Sequence, residues 1–331
     1  MFHVAFCMKR NTVILAVGLF LFGFTRFASA QGNQNFDRIN VHVEPIQGNV
    51  YLLTGAGGNV TVQAGPDGVL VVDTQFAPMA PKILTAIWEI SHSPIRYIIN
   101  THSHRDHSGG NEPLAKAGQP PAGQNSCPKE GACIVAHENV LKTLSAPPSG
   151  KPGDRSAPRG NWPALTYRDR MTIKFNGEEI ELIHEPDAHS SGDTIVFFHG
   201  SNVVSAGDIY AASRYPSYDD DGSIDGMISG LNRILTMVAP PDKFGQGGTV
   251  IVPGHGRLVR QPELVAYRDM SVMLRQRMQG LVAKGMTLEQ VKAAQPMKEY
   301  EPVYGGNTGV SSTEYVIEQI YNNLKQKKSS R

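Results

Sequence analysis

The chain has little cysteine and little charge. Three cysteines in 331 residues cannot build a disulfide-dense scaffold, so an apolar core has to hold the fold. Charged residues are 18% of the chain, and 31 Lys and Arg stand against 30 Asp and Glu, a formal net charge of +1. That balance excludes a nucleic-acid binder working through a broad phosphate-neutralising face. No G-x-G-x-x-G or P-loop occurs, so no nucleotide cofactor is indicated. No G-x-S-x-G nucleophile elbow occurs either, nor a repeat of 20–50 residues. What is present is an apolar content of 40%, too high for disorder along most of the length. The length gives ample core for one large domain or two smaller ones.

Long hydrophobic runs are also scarce. The longest, residues 13–24, follows Lys9 and Arg10 and precedes Ala28-Ser29-Ala30, an A-x-A cleavage pattern. At about a dozen residues it falls short of the roughly 20 that a membrane span needs. The expectation is a signal peptide over 1–30, cleaved on export, and a mature chain from 31 to 331 in the periplasm or the medium, with no stable membrane association. Export changes how the cysteines read. Cys7 leaves with the leader, and an oxidising compartment favours a small loop-closing disulfide between Cys127 and Cys133. The competing reading, two metal-binding thiolates, lacks a third or fourth cysteine and a histidine inside the loop.

Short β-rich runs at 41–44, 50–54, 60–64 and 69–73, separated by glycine-rich turns, predict an antiparallel meander. Residues 81–90 carry helical spacing and 95–99 a compact apolar strand. A loop is predicted over 114–131, then a short strand at 134–136, a helix at 138–144 and an exposed loop over 146–164. Asn176-Gly177 marks a hairpin between 171–175 and 179–184. Strands at 194–198, 203–206 and 249–252 follow, with helices at 225–238, 262–284 and 312–325. Thr287 and Gln290 form a capping box for a further helix, within a helical extension over about 285–331. The β-then-α rhythm appears twice. It predicts an α/β fold, an αββα sandwich of two mixed β-sheets with helices on the outer faces, in a single domain over 31–331.

The chemistry concentrates in Thr101-His102-Ser103-His104-Arg105-Asp106-His107, directly after the strand at 95–99. Three imidazoles and a carboxylate within six residues suit Zn²⁺ and its neighbours. A contiguous loop can aim His102 and His104 at one ion and, one turn later, Asp106 and His107 at a second. Ser108-Gly109-Gly110-Asn111 then offers small residues for a tight turn.

This HxHxDH motif resembles that of the metallo-β-lactamase-fold hydrolases, and four further segments resemble the family's in the same order. Residues 68–74 resemble its strand ending in Asp, here Asp73. Residues 188–193 resemble its third ligand loop, with His189. Residues 205–208 resemble the strand ending in a bridging carboxylate, Asp208, and residues 252–256 the last ligand loop, with His255. The resemblance implies the αββα fold, hydrolysis, and two zinc ions per chain. The first zinc would take His102, His104 and His189. The second would take Asp106, His107 and His255, with Asp208 and a hydroxide bridging the pair. Asp106 would also be catalytic, orienting the hydroxide and shuttling a proton. Taken alone, His189 and His255 could be hydrogen-bonded loop histidines, and Asp208 a turn or cap residue. Asp73 is expected to orient a ligand histidine through its other ring nitrogen, or else to be a strand-end turn residue. His42, His92, His137, His184 and His199 have no ligand-like setting. Trp162 and Tyr167 could line a substrate cleft, although packing roles are the commoner case for such residues.

Two Lewis-acidic ions sharing a water suit attack on a carbonyl carbon or a phosphorus of a small-molecule substrate. Export together with this resemblance suggests β-lactamase-like opening of a cyclic amide. One departure matters: zinc β-lactamases generally carry Cys or Ser where Asp208 stands. The Asp-bearing set is more similar to glyoxalase II, lactonases and related esterases and thioesterases. Phosphodiester or sulfatase-type work ranks below these. A non-catalytic binding module would be expected to lack some of the seven ligand-type residues, and all seven are present. The sequence does not set an oligomeric state.

Overall fold

A computed structural model describes residues 35–150, 154–219, 221–306 and 312–329. The expected signal peptide lies outside these residues. In chain order the elements are β1 (His42–Gln47), β2 (Val50–Thr54), β3 (Val60–Gly65), β4 (Gly68–Val72), α1 (Ala80–Ile90), β5 (Ile95–Ile99), α2 (Arg105–Ser108), α3 (Asn111–Ala117), β6 (Cys133–His137), α4 (Glu138–Leu144) and β7 (Leu165–Tyr167). Then come β8 (Arg170–Phe175), β9 (Glu178–Glu185), β10 (Asp193–Phe198), β11 (Val203–Ser205), α5 (Ile224–Met237), β12 (Val250–Val252), α6 (Gln261–Ala283), α7 (Leu288–Ala293), α8 (Glu301–Tyr304) and α9 (Thr313–Ser329).

The strands form two mixed sheets. The first runs β1-β2-β3-β4-β5-β6-β7 and the second β12-β11-β10-β9-β8. In the first, β1 to β4 are antiparallel and β4 to β7 parallel. In the second, only β11 and β12 are parallel. The period-2 alternation of strand side chains decides what fills each layer. Leu70, Val72, Tyr97, Ile99 and Val135 meet Ile180, Leu182, Val196 and Phe198 between the sheets. The alternate residues Val69, Val71, Ile98 and Ile134 turn outward onto α1 and α3. On the far side Ile183, Ile195, Val204 and Ile251 pack under α5, α6 and α9. Each fully buried aliphatic side chain is worth roughly 1.5–3 kcal/mol, so strands covered on both faces hold the sandwich firmly.

The β8–β9 hairpin turns at Asn176 (φ 49°) and Gly177 (φ 81°), the left-handed pair that an Asn-Gly turn requires. Cys127 and Cys133 are joined in a disulfide with a Cα–Cα distance of 5.3 Å. Two local differences from the sequence expectation stand out. Residues 111–117 are helical, so the expected loop starts at 118 rather than 114, because Leu114 is fully buried against the outer face of the first sheet. Residues 165–167 add a parallel edge strand, β7, three residues long and too short to show a period. Among the described residues, no helix is long and apolar enough to cross a membrane.

Candidate metal centre

The functional side chains cluster beyond the carboxyl ends of β4, β5, β9, β11 and β12, so all reach one rim of the sandwich. After β5, Asn100 locks the turn by exchanging side-chain hydrogen bonds with Asn111, at 3.0 and 2.7 Å. His104 stands in extended conformation (φ −62°, ψ 146°) at the N-cap of the single-turn α2. That turn carries Asp106 and His107. Asp73, just past β4, adopts φ 63°, a conformation that Asp tolerates better than most residues. It accepts from Thr101 N–H at 2.8 Å and from the Thr101 hydroxyl at 2.7 Å, and its Oδ2 lies 2.8 Å from His107 Nδ1.

All seven ligand-type residues picked out in the sequence converge. One group able to hold a metal ion comprises His102, His104, His189 and Asp208, and another comprises Asp106, His107 and His255. In the first, His104 Nδ1 lies 3.0 Å from both His102 Nε2 and His189 Nε2. In the second, His107 Nε2 is 3.3 Å from His255 Nε2, and Asp106 Oδ2 is 3.3 Å from His255 Nε2. Asp208 reaches both: its Oδ2 is 3.7 Å from His189 Nε2 and 3.5 Å from His255 Nε2, and its Oδ1 is 3.3 Å from His107 Nε2.

The hydrogen bonds on the far side of each ring fix its tautomer. His104 Nε2 faces Asp219 Oδ1 at 3.2 Å, and His189 Nδ1 faces the Ser217 carbonyl at 2.7 Å. His107 Nδ1 faces Asp73. His102 Nδ1 faces the Thr101 hydroxyl, whose own proton goes to Asp73. Each of these nitrogens is placed to carry a hydrogen, which leaves His102 Nε2, His104 Nδ1 and His189 Nε2 facing one another at 3.0 Å from the shared His104 nitrogen. Ring nitrogens so placed repel unless a proton or a metal ion lies between them. Zn–N bonds of 2.0–2.1 Å in a tetrahedral site put ligand nitrogens about 3.3 Å apart, close to these spacings. Asp208 Oδ1 is buried and has no hydrogen bond of acceptable geometry, despite its 3.3 Å approach to His107. An orphaned carboxylate oxygen among imidazoles is a donor set that fits a metal ion.

The electrostatics divide the rings: in the metal-free chain the carboxylates favour a proton on His107, His189 and His255, whereas His102 and His104 are held down. Burial, then the neighbouring rings of His107 and His104, hold His102 well below the usual histidine range. Burial also opposes charge on His107, but Asp208, Asp106 and Asp73 outweigh it and raise that ring well above the range. Burial would raise Asp208, yet His255 and His107 hold it far below the ordinary carboxylate range. His104 and Asp106 are the most open side chains of the sets, at 26% and 27% exposure, so these two face what enters.

Beside His104 lies a cleft of about 840 Å³, with Asn139, Lys142, Arg155, Ser191, Tyr218 and Asp219 in its wall. Tyr167 is not part of it: the ring is buried and its hydroxyl pairs with Thr194 Oγ1 at 2.7 Å. Trp162 packs beside Val140 and Leu144 and donates from Nε1 to the Ala157 carbonyl. His137 and His184 stack on each other at 3.5 Å. Asp219 and Arg155 were not singled out in the sequence. Arg155 lies in the Pro/Gly/Ser-rich loop, with Nη1 2.7 Å from Asp219 Oδ2. The only local signal was the acidic run 219–221, which by itself reads as a solvated turn.

Residues 45–126 match the model of a family described as the metallo-beta-lactamase superfamily. A curated relative, the 2,4-dinitroanisole O-demethylase subunit alpha of Nocardioides sp. (strain JS1661), is 28% identical over 217 residues, covering 64% of this chain. The chain spans about half the length of that relative, 56% of it. A metallo-beta-lactamase from Pontibacter korlensis superposes with a TM-score of 0.51 at 16% identity, over 70% of this chain and 99% of that one. A stereoselective inverting sec-alkylsulfatase from Pseudomonas sp. superposes with a TM-score of 0.57 at 16% identity, over 87% of this chain and 50% of that one. At these identities the likeness is one of fold.

Proposed function

We propose that this metallo-β-lactamase-fold protein is an exported, zinc-dependent hydrolase of small carbonyl substrates, with cyclic amides of the β-lactam kind as its first substrate class and lactones or other carboxylic esters as its second. The observation that carries the proposal is the pair of facing donor sets with Asp208 within reach of both. Seven donors are more than one tetrahedral ion uses, which supports two ions per chain. Imidazole and carboxylate together suit zinc. The Cys127–Cys133 disulfide supports an oxidising compartment, and thus export.

When bound, a pair of divalent cations supplies Lewis acidity and makes a nucleophile of water at neutral pH. The chain's own residues do the rest. His102, His104 and His189 would hold one ion, Asp106, His107 and His255 the other, and Asp208 would join them. Asp106 keeps 27% of its side chain exposed, so its carboxylate could take a proton from water and give it to the leaving nitrogen or oxygen. Thr101 and Asp73 keep the His102 and His107 rings in one tautomer and one orientation. A second reading, cleavage of an activated ether or a sulfate ester, is favoured by the relative named as an O-demethylase subunit and by the alkylsulfatase among the solved structures.

The test is a substrate panel on the purified chain: a chromogenic β-lactam, a lactone, a thioester, an activated aryl methyl ether and an alkyl sulfate, each with and without chelator. Chelator-sensitive turnover of the lactam or lactone is expected. The Asp106→Asn variant, loaded with metal, should lose roughly 10²–10⁴-fold in kcat, the usual scale of general acid–base assistance. Turnover confined to the ether or the sulfate would transfer the proposal to the second reading. Activity indifferent to metal would end both.

A further inference from the structure

Two of the three histidines in the first donor set are aimed by one short segment, residues 217–219. The Ser217 carbonyl faces His189 Nδ1 at 2.7 Å, the Asp219 carboxylate faces His104 Nε2 at 3.2 Å, and Asp219 N–H donates to the His189 carbonyl at 2.7 Å. Between them, Tyr218 is gripped on both of its backbone groups by a single side chain. Its N–H donates to Gln319 Oε1 at 3.3 Å, and its carbonyl accepts from Gln319 Nε2. Gln319 lies on α9, a helix anchored in the core through Val316, Ile317, Ile320 and Tyr321. Arg155 holds Asp219 from the opposite side.

An irregular segment without ladder partners has no backbone register of its own, so whatever satisfies its N–H and C=O fixes its position. A primary amide offers an N–H donor and a carbonyl acceptor side by side, the complement of a residue's own N–H and C=O. Resting on the metal-binding proposal above, we infer that Gln319 is a positioning residue for the first metal set. By clasping Tyr218, the C-terminal helix sets the aim of His104 and His189. The centre is then assembled from both ends of the domain: the HxHxDH loop supplies ligands, and α9, about two hundred residues later in the chain, tunes how well they bind. In the second set, His107 is oriented by Asp73 and packs on Gly58, whose N–H donates to the Asp106 carbonyl, contacts that lie outside this clasp.

The experiment measures zinc affinity at both sites by chelator competition, and cobalt(II) ligand-field absorption at one and two equivalents. It uses wild type, Gln319→Met, Asp219→Ala and Lys292→Ala, each with a melting curve. Gln319→Met keeps the side-chain length and removes both hydrogen bonds. Lys292→Ala removes the exposed 3.2 Å pairing with Glu318 on the same helix without touching residue 218. Supporting partners of metal ligands typically govern 10–100-fold in affinity. Asp219→Ala should therefore lose on that scale, and Gln319→Met, one step further out, about tenfold. Both losses should fall on one site only, with an altered cobalt spectrum at that site, while Lys292→Ala leaves both unchanged. If Gln319→Met does not fold, Gln319→Glu carries the same test, since it keeps the acceptor for Tyr218 N–H and removes the donor to its carbonyl. A folded Gln319 variant with wild-type affinity and spectrum overturns the inference, as does an equal loss in Lys292→Ala. A wild-type chain that binds no metal overturns the metal-binding proposal and this one together, whereas normal wild-type binding with an indifferent Gln319→Met overturns this one alone.

Discussion

Gly254 leaves no room for a side chain beside the Asp208 carboxylate. A Cβ built there would stand 1.9 Å from Asp208 Oδ1, 2.7 Å from the Gly207 carbonyl carbon and 2.8 Å from Asp208 N. Two of these three are backbone atoms, so no rotamer change relieves the clash. Gly254→Ala should push Asp208 out of reach of one or both imidazole sets and weaken metal binding by about 10–100-fold, the scale set by supporting residues of metal sites. Overpacking adds a stability loss of about 1–3 kcal/mol. Chelator competition alongside thermal melting reads both effects, and a variant with wild-type metal affinity would show that Asp208 is not held where the geometry places it. At this scale the ligand-type residues were legible in the sequence because four of the seven lie within one turn-and-a-half of chain. The other three each sit shortly after a strand with a glycine within three residues. Asp219 was not legible: its partner His104 lies 115 residues away, and only the folded chain brings the two together.

Short elements carry consequences that their length hides. Helix α4 is N-capped by His137, whose Nδ1 accepts from Asn139 N–H at 3.2 Å and whose ring stacks on His184 at 3.5 Å and 7°. Burial, and then His184, push its pKa down to about 4 from 6.5. For a histidine whose folded pKa is depressed, the unfolded chain binds the proton more readily. Stability is therefore fully present above the unfolded pKa near 6.5 and is lost as pH falls toward 4. His137→Asn keeps a good N-cap acceptor and removes the titration. Between pH 6.5 and 4.5, wild type should lose more melting temperature than His137→Asn does. Parallel curves for the two proteins would sink the argument, since protonation of the donor sets is common to both. His137 read as an ordinary histidine in the sequence because the stack on His184 exists only once β9 packs near β6, and histidine is not among the usual capping residues. Helix α3 and strand β7 escaped for a related reason: at seven and three residues they are shaped by what they pack against, not by a period of their own.

At the scale of the whole molecule the layered plan was legible, because a β-then-α rhythm given twice admits few arrangements that bury both sheets. What the rhythm does not reveal is how the halves are tied at the rim. His102, His104, Asp106 and His107 extend from the first sheet, whereas His189, Asp208 and His255 extend from the second. Each donor set draws on both sheets, so bound metal would cross-link the sandwich at this rim. Without metal, the same rim holds imidazole nitrogens and the carboxylates of Asp106 and Asp208 together with only protons to share. Metal that binds only the folded chain adds RT ln(1 + [L]/Kd), about 2.7 kcal/mol at a hundredfold excess over Kd. In a domain of this size each kcal/mol moves the melting temperature by about 2–4 °C. Complete chelation should therefore lower the melting temperature by roughly 5–10 °C, and restored zinc should return it. The disulfide is different in kind: Cys127 and Cys133 are only six apart, both within one loop and strand of the first sheet. Its reduction should leave the metal-dependent increment intact. The decisive comparison is calorimetry of metal-loaded, chelated and re-loaded protein, each with metal content measured. Equal melting temperatures in the loaded and metal-free forms would mean that the rim is already closed by protein contacts, and that the ligands do not bind the two sheets together.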